Sequence, residues 1–324
     1  MKHLISLLLC ALLIVPALAE DAPDFEPIPW DIKVSPNLPN PDCYLPNNGG
    51  YHDDSIDIQI NVTYWTQDLQ QVDAPGEGTT TVMSARVKLT DVSQFRTGFA
   101  NKYPSKQARH VNDMTKRFNA VMGIDGDYCL YHEQGIVVRN GQTLRMRPHK
   151  GRDELIVDEN GDFHLITRTT QAKWDEYIAG GGTVLHAFCF GPALVVDGVP
   201  LTSLDDVTID NGKAKKAQRM VIGQIGKLEY LILTNEGPES TAPKSVGFDL
   251  VQMANLCVQF GLDNAYNLDG GSSSTIALNN QKINSPSSHK NRMVGDCIWF
   301  ATLVKEETWR EKESVQTVEV EENK

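Results

Sequence analysis

Alternating apolar and polar positions dominate this chain, and that period predicts strands. Ile56 to Trp65 (IDIQINVTYW) and Thr80 to Leu89 (TTVMSARVKL) alternate most clearly, with a turn-like loop at Asp73 to Gly78 between them. Shorter β-like segments follow at Ala120 to Ile124, Gly135 to Arg139, Leu155 to Val157 and Phe163 to Thr167. Asn140-Gly141 and Asn160-Gly161 punctuate them, dipeptides whose tolerance of positive φ suits tight hairpins. Phe188 to Val196, Arg219 to Gln224, Leu228 to Leu233 and Cys297 to Val304 continue the pattern, with Asp197-Gly198 turning the chain. A helical period shows in two places. Ser105 to Asn119 has Ser105 as candidate N-cap, and Phe248 to Phe260 carries one apolar face and stops at Gly261. Many strands with few helices predict an α+β fold: a single domain with a mixed, largely antiparallel curved sheet flanked by a few helices.

The ends read differently from the middle. Lys2, the apolar run Leu4 to Val15 and the A-x-A pattern Ala17-Leu18-Ala19 form an export signal over residues 1–19. Its apolar run is too short for a membrane span, and no later segment is long and apolar enough, so no integral membrane association is expected. Residues 20–50, rich in Pro, Asp and Asn without periodicity, read as an exposed leader or lid. The domain is then expected over 51–304, and the charged stretch 305–324 as a frayed or disordered tail. The product is a secreted, extracellular, periplasmic or lumenal chain.

Composition narrows the partners. A formal charge of −12, which becomes more negative when Lys2 leaves with the signal, makes general binding of nucleic acid unfavourable. An anionic substrate would need cations gathered locally. Five cysteines remain after the signal, at 43, 129, 189, 257 and 297, with no C-x-x-C pair, which argues against structural zinc. An oxidising compartment permits one or two disulfides, although the mostly apolar neighbours of four of these cysteines favour buried thiols. Asn61-Val62-Thr63 is a glycosylation sequon, relevant only in a glycosylating host.

The chemistry concentrates in Asn267-Leu268-Asp269-Gly270-Gly271-Ser272-Ser273-Ser274-Thr275. A carboxylate at a strand end is followed by two glycines, which admit close ligand approach, and by a run of hydroxyl donors suited to sugar hydroxyls and phosphate oxygens. There is no G-x-S-x-G elbow, P-loop or H-E-x-x-H, and no cofactor or metal is expected. Asp125-Gly126-Asp127 resembles a fragment of a calcium loop but lacks the other ligands. Asp125, Asp127 and Asp269 supply carboxylates, and Arg219 and Arg292 supply permanent cations. Together with the glycine-serine loop they suit a substrate holding both a sugar and a phosphate. Each also has a plainer reading: Asp269, Asp125 and Asp127 as turn formers, and the arginines as structural ion pairs.

Leu268-Asp269-Gly270-Gly271 through Thr275 resembles the L-D-G-G-G-S-S-T signature of the phosphodiester glycosidase family. Gly123 to Tyr128 (GIDGDY) resembles its A-x-N-G-x-[FY] segment, and Phe190 to Gly198 its F-x-P-x-L-V-x-x-G strand. Arg219 to Gly223 resembles R-T-A-I-G, Ser245 to Leu250 resembles S-x-G-x-T-L, and Arg292-Met293-Val294 resembles R-x-V. The resemblance spans roughly residues 80 to 304 in the family's order. It implies hydrolysis of a sugar-1-phosphodiester, with N-acetylhexosamine as the sugar. Asp269 would act as nucleophile, base or electrostatic stabiliser, and Arg219 and Arg292 would hold the phosphate. Gly270, Gly271, Ser272, Ser273 and Ser274 would supply donors, and Asp125 and Asp127 would hold sugar hydroxyls or serve as acid/base. The chain departs from the family at Asp125 for asparagine, Ser272 for the third glycine, Met220 for threonine, and Asp296 where asparagine is common. A secreted glycan-binding module without turnover, and a hydrolase of ordinary glycosidic bonds in polysaccharide, are the alternatives.

Overall fold

The computed structural model describes residues 25–205, 207, 215–240, 244–285 and 291–310. The export signal and residues 311–324 of the expected tail lie outside the described residues. The fold is α+β, and its β-structure divides into three sheets. The first runs in the order Tyr44–Leu45, Gly50–His52, Ile56–Trp65, Thr80–Leu89, Glu229–Asn235, Arg219–Gly226, Asn264–Asn267, Ala193–Val196, Val199–Pro200, with Gln71–Val72 beside Ile56–Trp65. A second runs Gln281–Lys282, Ile276–Leu278, Met122–Asp125, Asp296–Phe300, Phe95–Phe99. The third runs Phe163–Ile166, Glu154–Val157, His186–Phe188, Gly135–Arg139, Gln142–Arg147. The pairings within these sheets are antiparallel.

The inner faces of the three sheets share one core. Ile58, Val87 and Ile232 of the first sheet, Ile124, Ile298 and Phe300 of the second, and Leu155, Val157 and Phe188 of the third belong to a single buried cluster. Phe95 stands at its centre, edge-on to Phe163, Tyr230 and Phe300 with ring centroids 6.2, 5.1 and 5.5 Å away. Burying such a side chain is worth about 1.5–3 kcal/mol, and the edge-to-face contacts add to it. Each sheet then turns its outer face to one helix. α1 (Val111–Phe118) covers the second sheet through Met114 and Phe118 against Trp299, α2 (Gln171–Ala179) covers the third through Trp174, and α3 (Leu250–Gln259) covers the first through Met253, Ala254 and Cys257.

Local chemistry sets the boundaries. α3 begins at a reciprocal cap, the Asp249 side chain accepting the Gln252 N–H at 2.8 Å while the Gln252 side chain accepts the Asp249 N–H at 3.2 Å. Gly261 follows it at φ 80°, where a side chain would be strained. Asn140 (φ 49°) and Gly141 (φ 74°) make the hairpin their dipeptide predicts.

Two expectations are corrected, and one helix is added. α1 starts at Val111, well after Ser105, because the Arg109 N–H and C=O are both taken by Val294, at 3.0 and 2.8 Å, which fixes residue 109 in a β-bridge. Phe188 to Val196 is two strands in different sheets, broken where Gly191 turns at φ 72°. α2 was not anticipated, and only Trp174 in it is buried, so it carries almost no amphipathic signal.

Residues 25–50, the described part of the expected leader or lid, are mostly exposed and are tied to the domain at a few buried points such as Ile28, Ser35 and Asn37. Arg96, itself fully buried, donates to the carbonyls of Ile28 (3.3 Å), Pro29 (3.2 Å) and Ile32, and its guanidinium carbon lies 4.9 Å from the Trp30 ring centre. Ile28 packs beside α1 in the cluster that holds Trp299. No helix among the described residues is long and apolar enough to cross a membrane. Cys43, Cys129, Cys189, Cys257 and Cys297 are all free thiols, and the last four are buried as their apolar neighbours indicate; the disulfides that an oxidising compartment would permit are absent from the described residues.

Candidate active site

Strand ends of the first and second sheets meet at the Asp269 loop. Asn267 ends a strand of the first sheet, and Leu268 and Asp269 continue from it into the loop. That loop is strapped at both ends to Asp125-Gly126, at the end of a second-sheet strand. The Asp269 N–H donates to the Gly126 carbonyl at 3.1 Å, and the Thr275 N–H donates to Asp125 Oδ1 at 2.8 Å. Gly271 donates to the Gln218 carbonyl at 2.9 Å, which anchors the loop to the start of Arg219–Gly226. Gly271 has φ 61°, and a Cβ on Gly270 would come 3.0 Å from the Gln218 carbonyl oxygen, so both glycines have a physical reason. Ser272 does not adopt positive φ, so serine is unstrained where the family has glycine.

Asp269 is 8% exposed, and its Oδ1 accepts the Gly270 N–H at 2.8 Å. Burial raises its pKa, while the nearby Ser273 hydroxyl, the Gly270 N–H and the Arg292 charge oppose the rise. Asp125 is fully buried, and its pKa is pushed well up, first by burial and then by the charge of Asp269. Oδ2 of Asp125 has no hydrogen-bond partner, nor do the buried hydroxyls of Ser274 and Thr275 or Oδ1 of Asn267. An unpaired buried carboxylate oxygen is costly, so burial favours the neutral form of Asp125, and does so more than for Asp269.

The folded state therefore keeps a proton on Asp125 that an unfolded chain releases above about pH 4. The native state binds more protons than the unfolded one, so this residue's contribution to stability falls as pH rises above that value. Asp125→Asn keeps the acceptor for Thr275 and removes the proton linkage. Its melting temperature is expected to exceed that of the wild type at pH 8, with the gain disappearing toward about pH 4; thermal scans across that range check it.

Asp127 belongs to a separate buried network. Its Oδ1 meets Arg139 at 2.8 Å and the Cys129 N–H at 3.2 Å, and its Oδ2 accepts the Cys189 N–H at 2.9 Å. Burial would raise its pKa, but the Arg139 guanidinium, then the Cys189 N–H, hold the carboxyl well below the usual range. The same guanidinium nitrogen meets Asp296 Oδ2 at 3.1 Å; burial and the charge of Asp127 push that carboxyl up against the pull of Arg139. Oxygens of Asp127 and Asp296 and the Cys129 sulfur lie within 4.8 Å of one another, but Arg139 already satisfies both carboxyls where a cation would bind. Gly126 is required here, since a Cβ would lie 2.4 Å from the Asp296 carboxyl.

The two predicted arginines differ. Arg219 is 8% exposed and donates to the carbonyls of Phe248 (3.3 Å) and Lys215 (2.6 Å), with burial lowering its pKa to about 10. Arg292 is exposed, acts electrostatically on Asp269, and its guanidinium carbon lies 5.5 Å from the Tyr128 ring centre. Asp125, Asp269, Gly270, Gly271 and Ser272 to Ser274 thus share one locality with Arg292, while Asp127 and Arg219 are engaged beneath and beside it. Arg139 was missed from the sequence. Arg139 ends an apolar strand before an Asn-Gly turn, where an arginine is ordinarily a solvated strand end, and nothing in its spacing signals a buried partner.

The phosphodiester glycosidase family model matches residues 118–301, a span containing every residue of this site. Among solved structures, the chain is similar to the catalytic domain of zebrafish N-acetylglucosamine-1-phosphodiester alpha-N-acetylglucosaminidase, auto-inhibited by its pro-peptide. The TM-score is 0.58 and the identity 14%, over 76% of this chain and 84% of that one. A hypothetical protein from Synechocystis is similar at TM-score 0.49 and 13% identity, over 76% of this chain and 62% of that one. At 14% identity the property shared with the zebrafish catalytic domain is the fold. No curated protein matches the chain.

Proposed function

The chain belongs to the phosphodiester glycosidase family, and from that premise we propose that it hydrolyses a sugar-1-phosphodiester outside the cytoplasm, with an N-acetylhexosamine as the sugar. The observation that carries the reading is the set of buried, unpartnered polar atoms near Asp269: Asp125 Oδ2 and the hydroxyls of Ser274 and Thr275. Buried polar atoms are ordinarily paired, so their concentration at one loop fits a polar ligand that completes them.

The chemistry follows from the charge pattern. Cleavage of the C1–O bond sends its electrons to a phosphate monoester, a good leaving group that needs little protonation. The sugar is left with oxocarbenium character, which the Asp269 carboxylate stabilises. Arg292 and the loop donors hold the departing phosphate, and Asp125, as a neutral acid, offers a hydrogen bond that an ionised carboxylate could not. Water adds to C1 and loses its proton to a carboxylate. Asp127 and Arg219 act as positioning residues: Asp127 fixes the turn after Gly126 through Arg139, and Arg219 ties strand Arg219–Gly226 to the Phe248 carbonyl.

The test incubates the mature protein with methyl phosphodiesters of N-acetylhexosamine-1-phosphates and with the corresponding methyl glycosides. The expected result is release of reducing sugar and methyl phosphate from the phosphodiesters alone. Release only from the glycosides would replace this reading with ordinary glycoside hydrolysis, and release from neither would sink both.

A further inference from the structure

Tyr128 has φ 59°, the left-handed region that favours glycine and asparagine, and an aromatic residue there stores strain. It follows Asp127 directly, two residues beyond the carbonyl that straps Asp269. Its ring stacks on Tyr131 with centroids 4.5 Å apart and planes 25° from parallel, and both rings are partly exposed. Arg292 lies over Tyr128 at 5.5 Å, the long end of cation–π range, and is itself exposed, so it can leave the ring for an anion at small cost. Tyr131 is braced: its hydroxyl donates to the Lys106 carbonyl at 3.2 Å, and a Cβ on Gly295 would come within 3.5 Å of its ring. Burial and Tyr128 raise the Tyr131 phenol, Arg292 lowers it, and Asp296 and Asp269 raise it further, which sets the ring in the electrostatic reach of Asp269.

We propose that the Tyr128–Tyr131 pair is a sugar-stacking platform at the mouth of the Asp269 site, receiving the apolar face of a pyranose ring while Arg292 turns to the phosphate. A pyranose presents one face of C–H groups, which suits the electron-rich face of an aromatic ring, and its hydroxyls remain free for polar partners. The strained φ is accounted for by the need for a ring at this position, since glycine would relieve the backbone but supply no surface. The proposal rests on the glycosidase reading for the identity of its ligand.

Calorimetric titration of N-acetylglucosamine 1-phosphate and of inorganic phosphate into the wild type, Tyr128→Phe and Tyr128→Gly separates the possibilities. Tyr128→Gly is expected to bind the sugar phosphate about tenfold more weakly, with phosphate affinity unchanged and a melting temperature no lower than wild type. Tyr128→Phe is expected to bind as the wild type does. Tyr128→Asn, which also tolerates positive φ, repeats the test if glycine loosens the loop. Unchanged sugar-phosphate affinity in Tyr128→Gly overturns the platform, as does an equal loss of phosphate affinity, which would make the ring a support for Arg292. Absence of sugar-phosphate binding by the wild type overturns it as well. Tyr128-dependent sugar binding without hydrolysis of any phosphodiester would sink the glycosidase reading and leave the platform standing.

Discussion

Asp269→Asn is expected to lose hydrolysis of a sugar-1-phosphodiester by on the order of 10³-fold while remaining folded. The substitution keeps an oxygen for the Gly270 N–H, which donates to Oδ1 at 2.8 Å, so the turn survives. What disappears is the negative charge beside Arg292, and with it the stabilisation of positive charge at C1. The wild-type carboxyl has a raised pKa, so its activity should fall on acidification at a higher pH than for an unperturbed aspartate, as Asp269 takes up a proton. Steady-state rates across pH, with a melting curve for the variant, check both points. Undiminished turnover in a folded Asp269→Asn protein removes Asp269 from the chemistry and returns it to a turn-capping role.

Arg139→Met is expected to destabilise the fold by about 3–5 kcal/mol near neutral pH. Arg139 is buried, meets Asp127 and Asp296 with the same nitrogen, and lies 4.4 Å from the Phe188 ring centre. Methionine recovers part of the packing but leaves buried carboxyls without their cation. The depressed pKa of Asp127 is a stability contribution present above its unfolded pKa and lost as pH falls through its folded value. The penalty of Arg139→Met should therefore shrink on acidification, as the two carboxyls become protonated and neutral. The combination Arg139→Met, Asp127→Asn and Asp296→Asn should regain much of the loss, because no buried charge is then left unpaired. Denaturant unfolding at two pH values tests this. A single variant as stable as the wild type at neutral pH would show that the buried pair contributes nothing net.

The pattern of side chains along the chain determined the secondary structure wherever the signal was local. Alternation located the strands, Asn140-Gly141 and Asp197-Gly198 located turns because their residues accept positive φ, and the apolar face with its glycine stop located α3. The signature loop was legible for the same reason, since its glycines and hydroxyls are contiguous. α2 was invisible because it buries a single tryptophan, and α1 was drawn too long because the bond pair that ends it joins Arg109 to Val294, far away in sequence. Tertiary structure alone decided which charges are free. Arg139, Asp127 and Asp296 lie on separate segments and meet only when the second and third sheets pack, and burial then fixes who holds a proton. The stronger upward push on Asp125 than on Asp269 is likewise a property of burial and proximity, quantities that a linear order of residues does not contain.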